Sequence, residues 1–184
     1  MPGIARALPV LVAAGCLAAG CGSPPGPPGR PPSSRASARP PAASGTAPAG
    51  DPRALILGAY TGMWDAYAVA ARTADYQPGP LSRYAAGDAL TVLTRSLYDD
   101  HQKGVVLRGA PVLDPKVTGM ALAGNPGTSD VTDCADDTRW RQYTTSGKPA
   151  SGVPAGRHRI YAQLRLFGTA WKVTNLVVEP AGTC

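Results

Sequence analysis

Apolar positions along this chain fall into three regimes. Ala7 to Ala19 is an almost continuous apolar run behind a single basic residue, Arg6. Residues 22–52 then show neither a helical nor an alternating pattern. From residue 53 onward both periods appear, first the helical one. Leu57, Tyr60, Trp64, Tyr67 and Ala71 recur every three or four positions and predict an amphipathic helix reaching about Ala74. Asp51-Pro52 supplies its N-cap and a proline at the first helical position, and Gln77-Pro78-Gly79-Pro80 stops it. A short helical piece, Leu81 to Ala86, precedes Gly87. Asp88 is placed to cap the next helix, which runs to about His101 with Leu90, Leu93, Leu97 and His101 on one stripe. Gly104 ends it.

The pattern after Gly104 reads as strands. Val105 to Leu113 is the first, interrupted by Gly109 and Pro111. Val117 to Ala123 and Ser129 to Ala135 follow, joined by a turn at Asn125-Pro126-Gly127. Arg139 to Thr144 comes next, and a polar loop from Ser146 to Gly156 leads to Arg157 to Phe167. A tight turn at Gly168-Thr169 gives the closing strand, Trp171 to Glu179. In the Arg157 strand, Arg157, Arg159, Tyr161, Gln163 and Arg165 face one way. His158, Ile160, Ala162, Leu164 and Leu166 face the other, toward the helices. In the Arg139 strand, Arg139, Arg141 and Tyr143 share one face and Trp140, Gln142 and Thr144 the other. Helices followed by an antiparallel sheet define an α+β class.

The first regime has the layout of a secretory signal peptide: one basic residue, an apolar run of about 13 residues, small residues, then a cysteine. A transmembrane helix needs roughly 20 apolar residues, so the run is too short for a permanent span. Leu17-Ala18-Ala19-Gly20-Cys21 resembles the lipobox of bacterial lipoproteins. It implies that residues 1–20 are removed and that Cys21 becomes an acylated, palmitate-bearing N-terminus at the outer face of the cell membrane. Cys16, in Ala13-Ala14-Gly15-Cys16, offers a competing site. Cleavage there would leave a core of only about nine apolar residues, so Cys21 is preferred.

Residues 22–52 contain ten prolines and no aromatic residue. Too little apolar surface is present to offset the entropy of ordering such a segment. It is expected to be a disordered tether of polyproline II character, about 95 Å long when extended and about 30 Å as a coil. Residues 53–184 are then one domain with enough chain for a single core. Ala, Gly and Pro enrichment, with Arg favoured over Lys, points to a GC-rich, actinobacterial source.

Charge selects no obvious partner. The chain carries +6, but the block from residue 53 holds 14 basic and 11 acidic residues, a balance of only +3. An exported protein without the interleaved aromatic and basic signatures of RNA-binding modules is not expected to meet nucleic acid. Cys134 and Cys184 remain after processing. Two cysteines in an exported domain pair most often, and neither lies in a C-x-x-C motif or beside a histidine in the sequence.

A resemblance joins these elements. Ala59-Tyr60-Thr61-Gly62-Met63-Trp64 on the first helix, Gly87-Asp88-Ala89-Leu90 opening the second, Thr132-Asp133-Cys134 on a strand and Trp171-Lys172-Val173 closing the last hairpin are similar to actinobacterial lipoproteins of the nuclear transport factor 2-like superfamily. The resemblance spans residues 53–184. It implies a curved antiparallel sheet wrapped around helices into a cone, with a pocket at the open end. Some members of that superfamily are isomerases, cyclases or dehydratases that place an Asp, or an Asp/His pair, with a Tyr in the pocket. Many others are non-catalytic binding or dimerising modules.

The residues themselves offer little chemistry. His101 and His158 are the only histidines. There is no H-x-H or H-E-x-x-H for a metal, no G-x-S-x-G elbow and no phosphate-binding glycine loop. No catalytic residue, metal or cofactor is therefore assigned. Asp65 and Asp133 are the carboxylates that an acid/base site could use, and Asp65 stands beside Trp64 at the edge of the core stripe. Tyr60, Trp64, Asp65, Gln142 and His158 are the candidate pocket residues. Arg139, Arg141, Arg157, Arg159 and Arg165 are the candidate anion-binding face. Three functions follow. The first is a lipid-anchored, non-catalytic binding or accessory module with a protein partner, an apolar ligand or a second copy of itself. The second is an exported acid/base enzyme, and the third a protein that meets anionic wall polymers or headgroups through the arginines.

Overall fold

A computed structural model of the chain describes residues 50–150 and 155–184. The signal segment, Cys16, Cys21 and all of the tether before Gly50 lie outside the described residues. Helix α1 spans Pro52–Ala71 and α2 spans Gly87–Lys103. A single 3-10 turn, Pro80–Arg83, lies between them. Six strands follow: β1 (Val105–Arg108), β2 (Lys116–Ala121), β3 (Thr128–Asp136), β4 (Arg141–Thr144), β5 (Arg157–Phe167) and β6 (Ala170–Val178). The fold is α+β, with antiparallel sheets. No described helix is long and apolar enough to cross a membrane.

Asp51 caps α1 as the sequence indicates: its Oδ1 accepts from the Arg53 N–H at 3.0 Å, and Pro52 opens the helix. The buried stripe is Ile56, Ala59, Tyr60, Met63, Trp64, Tyr67, Ala68 and Ala71, so Ile56 takes the place expected of Leu57. The helix stops at Ala71, three residues early, because Ala74 turns into the left-handed region at φ 50° while remaining buried. Asp88 does not cap α2. Ala86 holds that position in extended backbone, fixed by its N–H donating to the Val173 carbonyl at 2.9 Å. Asp88 sits in the first turn, where its charge still suits the helix N-terminus. Gly104, at φ 62°, ends α2 as expected. His101 is exposed and leaves the stripe to Ala89, Leu93 and Leu97.

The strands form two sheets where the sequence suggests one. Four of them pair in the order β2-β3-β5-β6, while β1 and β4 form a separate ribbon, Val105 opposite Thr144 and Arg108 opposite Arg141. Two features divert the chain. Gly109 has φ 93°, and a Cβ there would collide with the Arg139 carbonyl, so β1 ends at Arg108 instead of running to Leu113. Beyond β3, the Trp140 N–H donates to the Asp137 carbonyl at 2.8 Å, closing a turn that swings Trp140 onto α1 and carries β4 away from β5.

The four-stranded sheet buries one face against the helices. Val131, Asp133 and Ala135 of β3, His158, Ile160, Ala162 and Leu164 of β5, and Trp171 and Val173 of β6 are all buried there. This is the alternation read from β5 in the sequence. The other face carries Asp130, Thr132, Cys134, Arg157, Tyr161 and Arg165. Each edge of the sheet is met at one point. Along β6, the Val173 N–H donates to the Tyr84 carbonyl at 2.8 Å and completes a short parallel bridge with residues 84–86. Along β2, the register shifts between Val117 and Gly119, and Arg53 Nη1 donates to the Val117 carbonyl at 3.4 Å. Gly62 allows the 3-10 turn to press on α1, since a Cβ there would lie 2.6 Å from the Tyr84 ring.

Cys134 and Cys184 are disulfide-bonded, with Cα atoms 6.0 Å apart. The tail from Glu179 runs beside the start of β5: the Glu179 and Gly182 N–H groups donate to the Arg159 and Arg157 carbonyls, and the Arg159 N–H donates to Thr183 Oγ1. The bond then fastens this tail to β3, closing a loop of 50 residues. Replacing both cysteines by serine is expected to lower the unfolding free energy by about 4 kcal/mol on chain-entropy grounds. Urea unfolding of the variant, and of the native chain with and without reductant, checks this; coincident curves for all three would contradict it.

Candidate functional site

The largest concentration of aromatic side chains lies where α1 meets the turn before β4. Trp64 packs edge to face with Tyr67 (centroids 6.0 Å, 90°) and Trp140 (6.2 Å, 87°), and Tyr67 meets Trp140 at 5.6 Å and 85°. These are the offset geometries that the ring quadrupole favours. Above this cluster opens a groove of about 1100 Å³. Leu93, Arg95, Ser96, Asp99, Asp100 and Lys103 of α2 form one wall, and Arg141, Gln142 and Tyr143 of β4 the other. Leu107, Leu176, Val178, Asp137, Pro149, Ala150 and Ala155 also line it.

The acidic and phenolic groups of the groove are mostly tied to protein partners. The Tyr67 hydroxyl donates to Ser96 Oγ at 2.9 Å. Burial, with a smaller push from Asp100, takes the Tyr67 pKa up to about 12 against a lowering contribution from the Ser96 bond. Arg95 Nε pairs with Asp99 Oδ1 at 3.1 Å, an exposed i,i+4 contact of small energetic weight. Asp137 Oδ1 accepts from the Gly156 N–H at 2.6 Å, and its Oδ2 lies 2.9 Å from His158 Nε2. His158 Nδ1 lies 2.8 Å from the Glu179 carbonyl. Both ring nitrogens thus face oxygen atoms, one of them an obligate acceptor. The Asp100 carboxyl has no hydrogen-bond partner among the described residues. Burial raises its carboxyl pKa above the usual range, Lys103 works against that rise and Asp99 adds to it.

The wall made by β4 is different. The side chains of Arg141, Gln142 and Tyr143 make no hydrogen bond or ion pair among the described residues. The Tyr143 ring is held instead by the Arg108 guanidinium, 4.6 Å from its centroid. The indole N–H groups of Trp64 and Trp140 are buried without a partner among the described residues.

The five expected pocket residues separate. Trp64 and Gln142 line the groove. His158 is buried behind it and touches it only through Asp137. Tyr60 lies outside it, fully buried, with its hydroxyl donating to Asp133 Oδ2 at 2.9 Å; burial and the adjacent carboxylate both raise its pKa. Asp65 is exposed, one residue round the helix from Trp64, and lines a different depression with Gly62, Arg83 and Tyr84. Asp133, the other carboxylate considered, has its second oxygen bonded to the Asp114 N–H at 2.7 Å and is structural. Sequence reasoning did not single out Asp100, Asp137 or Ser96. Asp99 and Asp100 stand near the end of α2 and Asp137 follows β3, and only the fold brings them to one groove.

The arginine row also divides. Arg157, Arg159 and Arg165 share the outward face of β5, opposite Asp136, Cys134 and Thr128 of β3. Asp136 carries a carboxylate whose pKa is lowered first by hydrogen bonds from Thr138, then by Arg157 and Arg139. Arg139 stands in the turn before β4. Arg141 belongs to the other sheet, opposite Arg108 and at the border of the groove, because the turn at Trp140 removes β4 from the side of β5. Among the described residues no three His, Cys, Asp or Glu side chains converge as metal ligands.

No protein-family model and no curated protein matches the chain. Among solved structures, it is similar to the crystal structure of the intermembrane space region of the chloroplast protein ARC6. The identity is 14% over 73% of this chain and 100% of that one, with a TM-score of 0.45.

The buried tyrosines set an alkaline limit. An unfolded chain ionises Tyr67 near pH 10, whereas the folded chain holds the proton until about pH 12. Stability is therefore unaffected below pH 10 and falls as pH rises from 10 toward 12. Urea midpoints measured across that window are expected to drop, and to drop less steeply in Tyr67→Phe; identical slopes would refute the assignment.

Proposed function

We propose that the chain is a lipid-anchored binding module displayed at the outer face of the cell membrane, taking its partner in the groove between α2 and β4. The observation that carries this reading is the β4 wall. Its groove-side amide, Gln142, opposite Leu107, has no protein partner among the described residues and stands over a packed aromatic floor. The Tyr67, Asp137 and Asp99 groups, which a proton-transfer mechanism would want free, are held by Ser96, His158 and Arg95. Such an arrangement suits recognition by a preformed surface. Two helices on one face of an antiparallel sheet, with a groove beside them, also support the nuclear transport factor 2-like cone as the finer description of the fold. The disulfide suits an oxidising compartment. The signal-like segment ending at Cys21 supplies the anchor.

The anchor is tested directly in cells fed a palmitate analogue. The native chain is expected to carry the label and to sediment with membranes, and Cys21→Ala to lose the label and accumulate unprocessed or in the soluble fraction. Label retained in Cys21→Ala but lost in Cys16→Ala would move the processing site and overturn the assignment.

One observation favours a second reading, an exported acid/base enzyme: the raised pKa of Asp100 in the groove wall. The two readings differ in the fate of a bound ligand. A binding module leaves it chemically unchanged after prolonged incubation, as judged by NMR. An enzyme converts it, and loses conversion, but not binding, in Asp100→Asn. The arginines of β5 remain a separate surface for anionic polymers or headgroups, and the shared face of Arg157, Arg159 and Arg165 supports that role.

A further inference from the structure

At one end of the four-stranded sheet, two hairpins run side by side. Residues 122–127 join β2 to β3, and Gly168-Thr169 joins β5 to β6. Ala121 stands opposite Thr128, Thr128 opposite Arg165 and Arg165 opposite Lys172, so one row crosses all four strands just before the turns. The Leu166 N–H donates to the Gly127 carbonyl at 3.0 Å and holds the two turns together. The groove meets the sheet at its other end, where Asp137 follows β3 and Val178 closes β6.

The extremity of this paired tip is apolar. Phe167 and Leu122 are each 47% exposed and Met120 is 38% exposed. Just behind them lies a positive fringe. Arg165, on the same face of β5 as Phe167, makes no ion pair among the described residues, and Lys172 Nζ donates to the uncharged Ser82 carbonyl at 2.7 Å. Neither residues 119–129 nor residues 163–173 include an acidic side chain. The next row inward brings Asp130, opposite Gln163, and Asp65 shares a depression with Lys172 and Arg83. The tip keeps a positive surplus.

We infer that the paired hairpin tips dock on an anionic phospholipid surface, with Phe167 and Leu122 entering the acyl boundary and Arg165 and Lys172 resting on headgroup phosphates. Charge alone would suit any anion. The order of the two chemistries decides: apolar groups at the extremity and cations behind them match a bilayer, where hydrocarbon lies beneath phosphate, whereas a soluble acidic polymer offers nothing to Phe167. The long stems of Arg165 and Lys172 let their charges stay at headgroup level. Such a contact is weak by itself, but a domain tethered to the same membrane is already concentrated beside it. A tether does not decide which end of the domain turns to the bilayer; the tip does, and it directs the groove away. This inference rests on the display of the domain beside a membrane and specifies its orientation there.

The full chain, purified from membranes and reconstituted in vesicles whose acyl chains carry bromine as a contact quencher, tests it. Tryptophan is placed at the tip, by Phe167→Trp or Leu122→Trp, or beside the groove, by Val92→Trp, and quenching is read against the native chain. In vesicles containing phosphatidylglycerol, quenching is expected at both tip positions and not at position 92. High salt and pure phosphatidylcholine are expected to diminish it, and Arg165→Gln to lower the ratio of docked to free tips about fivefold. Near-ultraviolet circular dichroism confirms that each variant retains its packing. Absence of quenching at both tip positions, in folded chains that still sediment with the vesicles, overturns the inference and leaves the anchor in place. Chains that sediment with neither kind of vesicle remove the anchor and the inference together. Equal quenching at position 92, or equal quenching in the two lipids, also overturns the inference. So does a photocrosslinker at position 167 that captures a protein in cells instead of lipid.

Discussion

The carboxyl group of Asp133 is the constraint around which this fold is assembled. It lies almost fully buried on the helix-facing side of β3, and among the described residues no cation pairs with it. Burying an acidic group without compensation costs several kcal/mol. Here the Tyr60 hydroxyl of α1 satisfies one oxygen and the Asp114 N–H, in the connection between β1 and β2, satisfies the other. Three elements distant in sequence are thereby fixed at one point. If α1 turned by one residue, Tyr60 would leave the carboxyl; if β3 slipped by one, Asp133 would move to the opposite face. Apolar packing of Ile56, Met63, Val131 and Leu164 supplies the bulk of the driving force but is tolerant of small shifts. The hydrogen-bonded carboxyl is not.

The groove follows from that fixed frame. Once α1 is set against the sheet, Trp64 and Tyr67 project toward the chain leaving β3, and the turn from Asp137 to Trp140 lays a third large ring upon them. Anchoring Trp140 there draws β4 away from β5 and toward β1, leaving a gap beside α2. The interactions that stabilise the domain and those that shape the groove therefore share Trp64 and Tyr67. The disulfide and tail contacts lie apart, at the other face of the sheet, where Cys134 and the start of β5 meet Cys184 and Thr183.

Much of the secondary structure could be read in the chain. The helical spacing of Tyr60, Trp64, Tyr67 and Ala71, the Asp51-Pro52 start, the Gly104 stop and the full length of β5 are local signals, and local physics decides them. The pairing of Cys134 with Cys184 followed from their number and context. The division into two sheets did not follow, because alternation in Arg139 to Thr144 says which residues share a face but not which strand lies alongside. The site was harder still. Trp64 and Gln142 were visible as inward-facing residues. Asp65 and Trp64 are adjacent in sequence yet face different depressions, and Asp100 and Asp137 come from doublets that look like solvated chain ends. Clefts are properties of packing between distant segments, and such proximity leaves no periodic trace in the sequence.

The sheet's borders carry a further consequence. Residues 84–86 meet β6 at Val173, and β2 is broken by a bulge between Val117 and Gly119 where Arg53 caps the Val117 carbonyl. A second copy approaching edge to edge would meet an interrupted row of donors and acceptors on either margin instead of a continuous one.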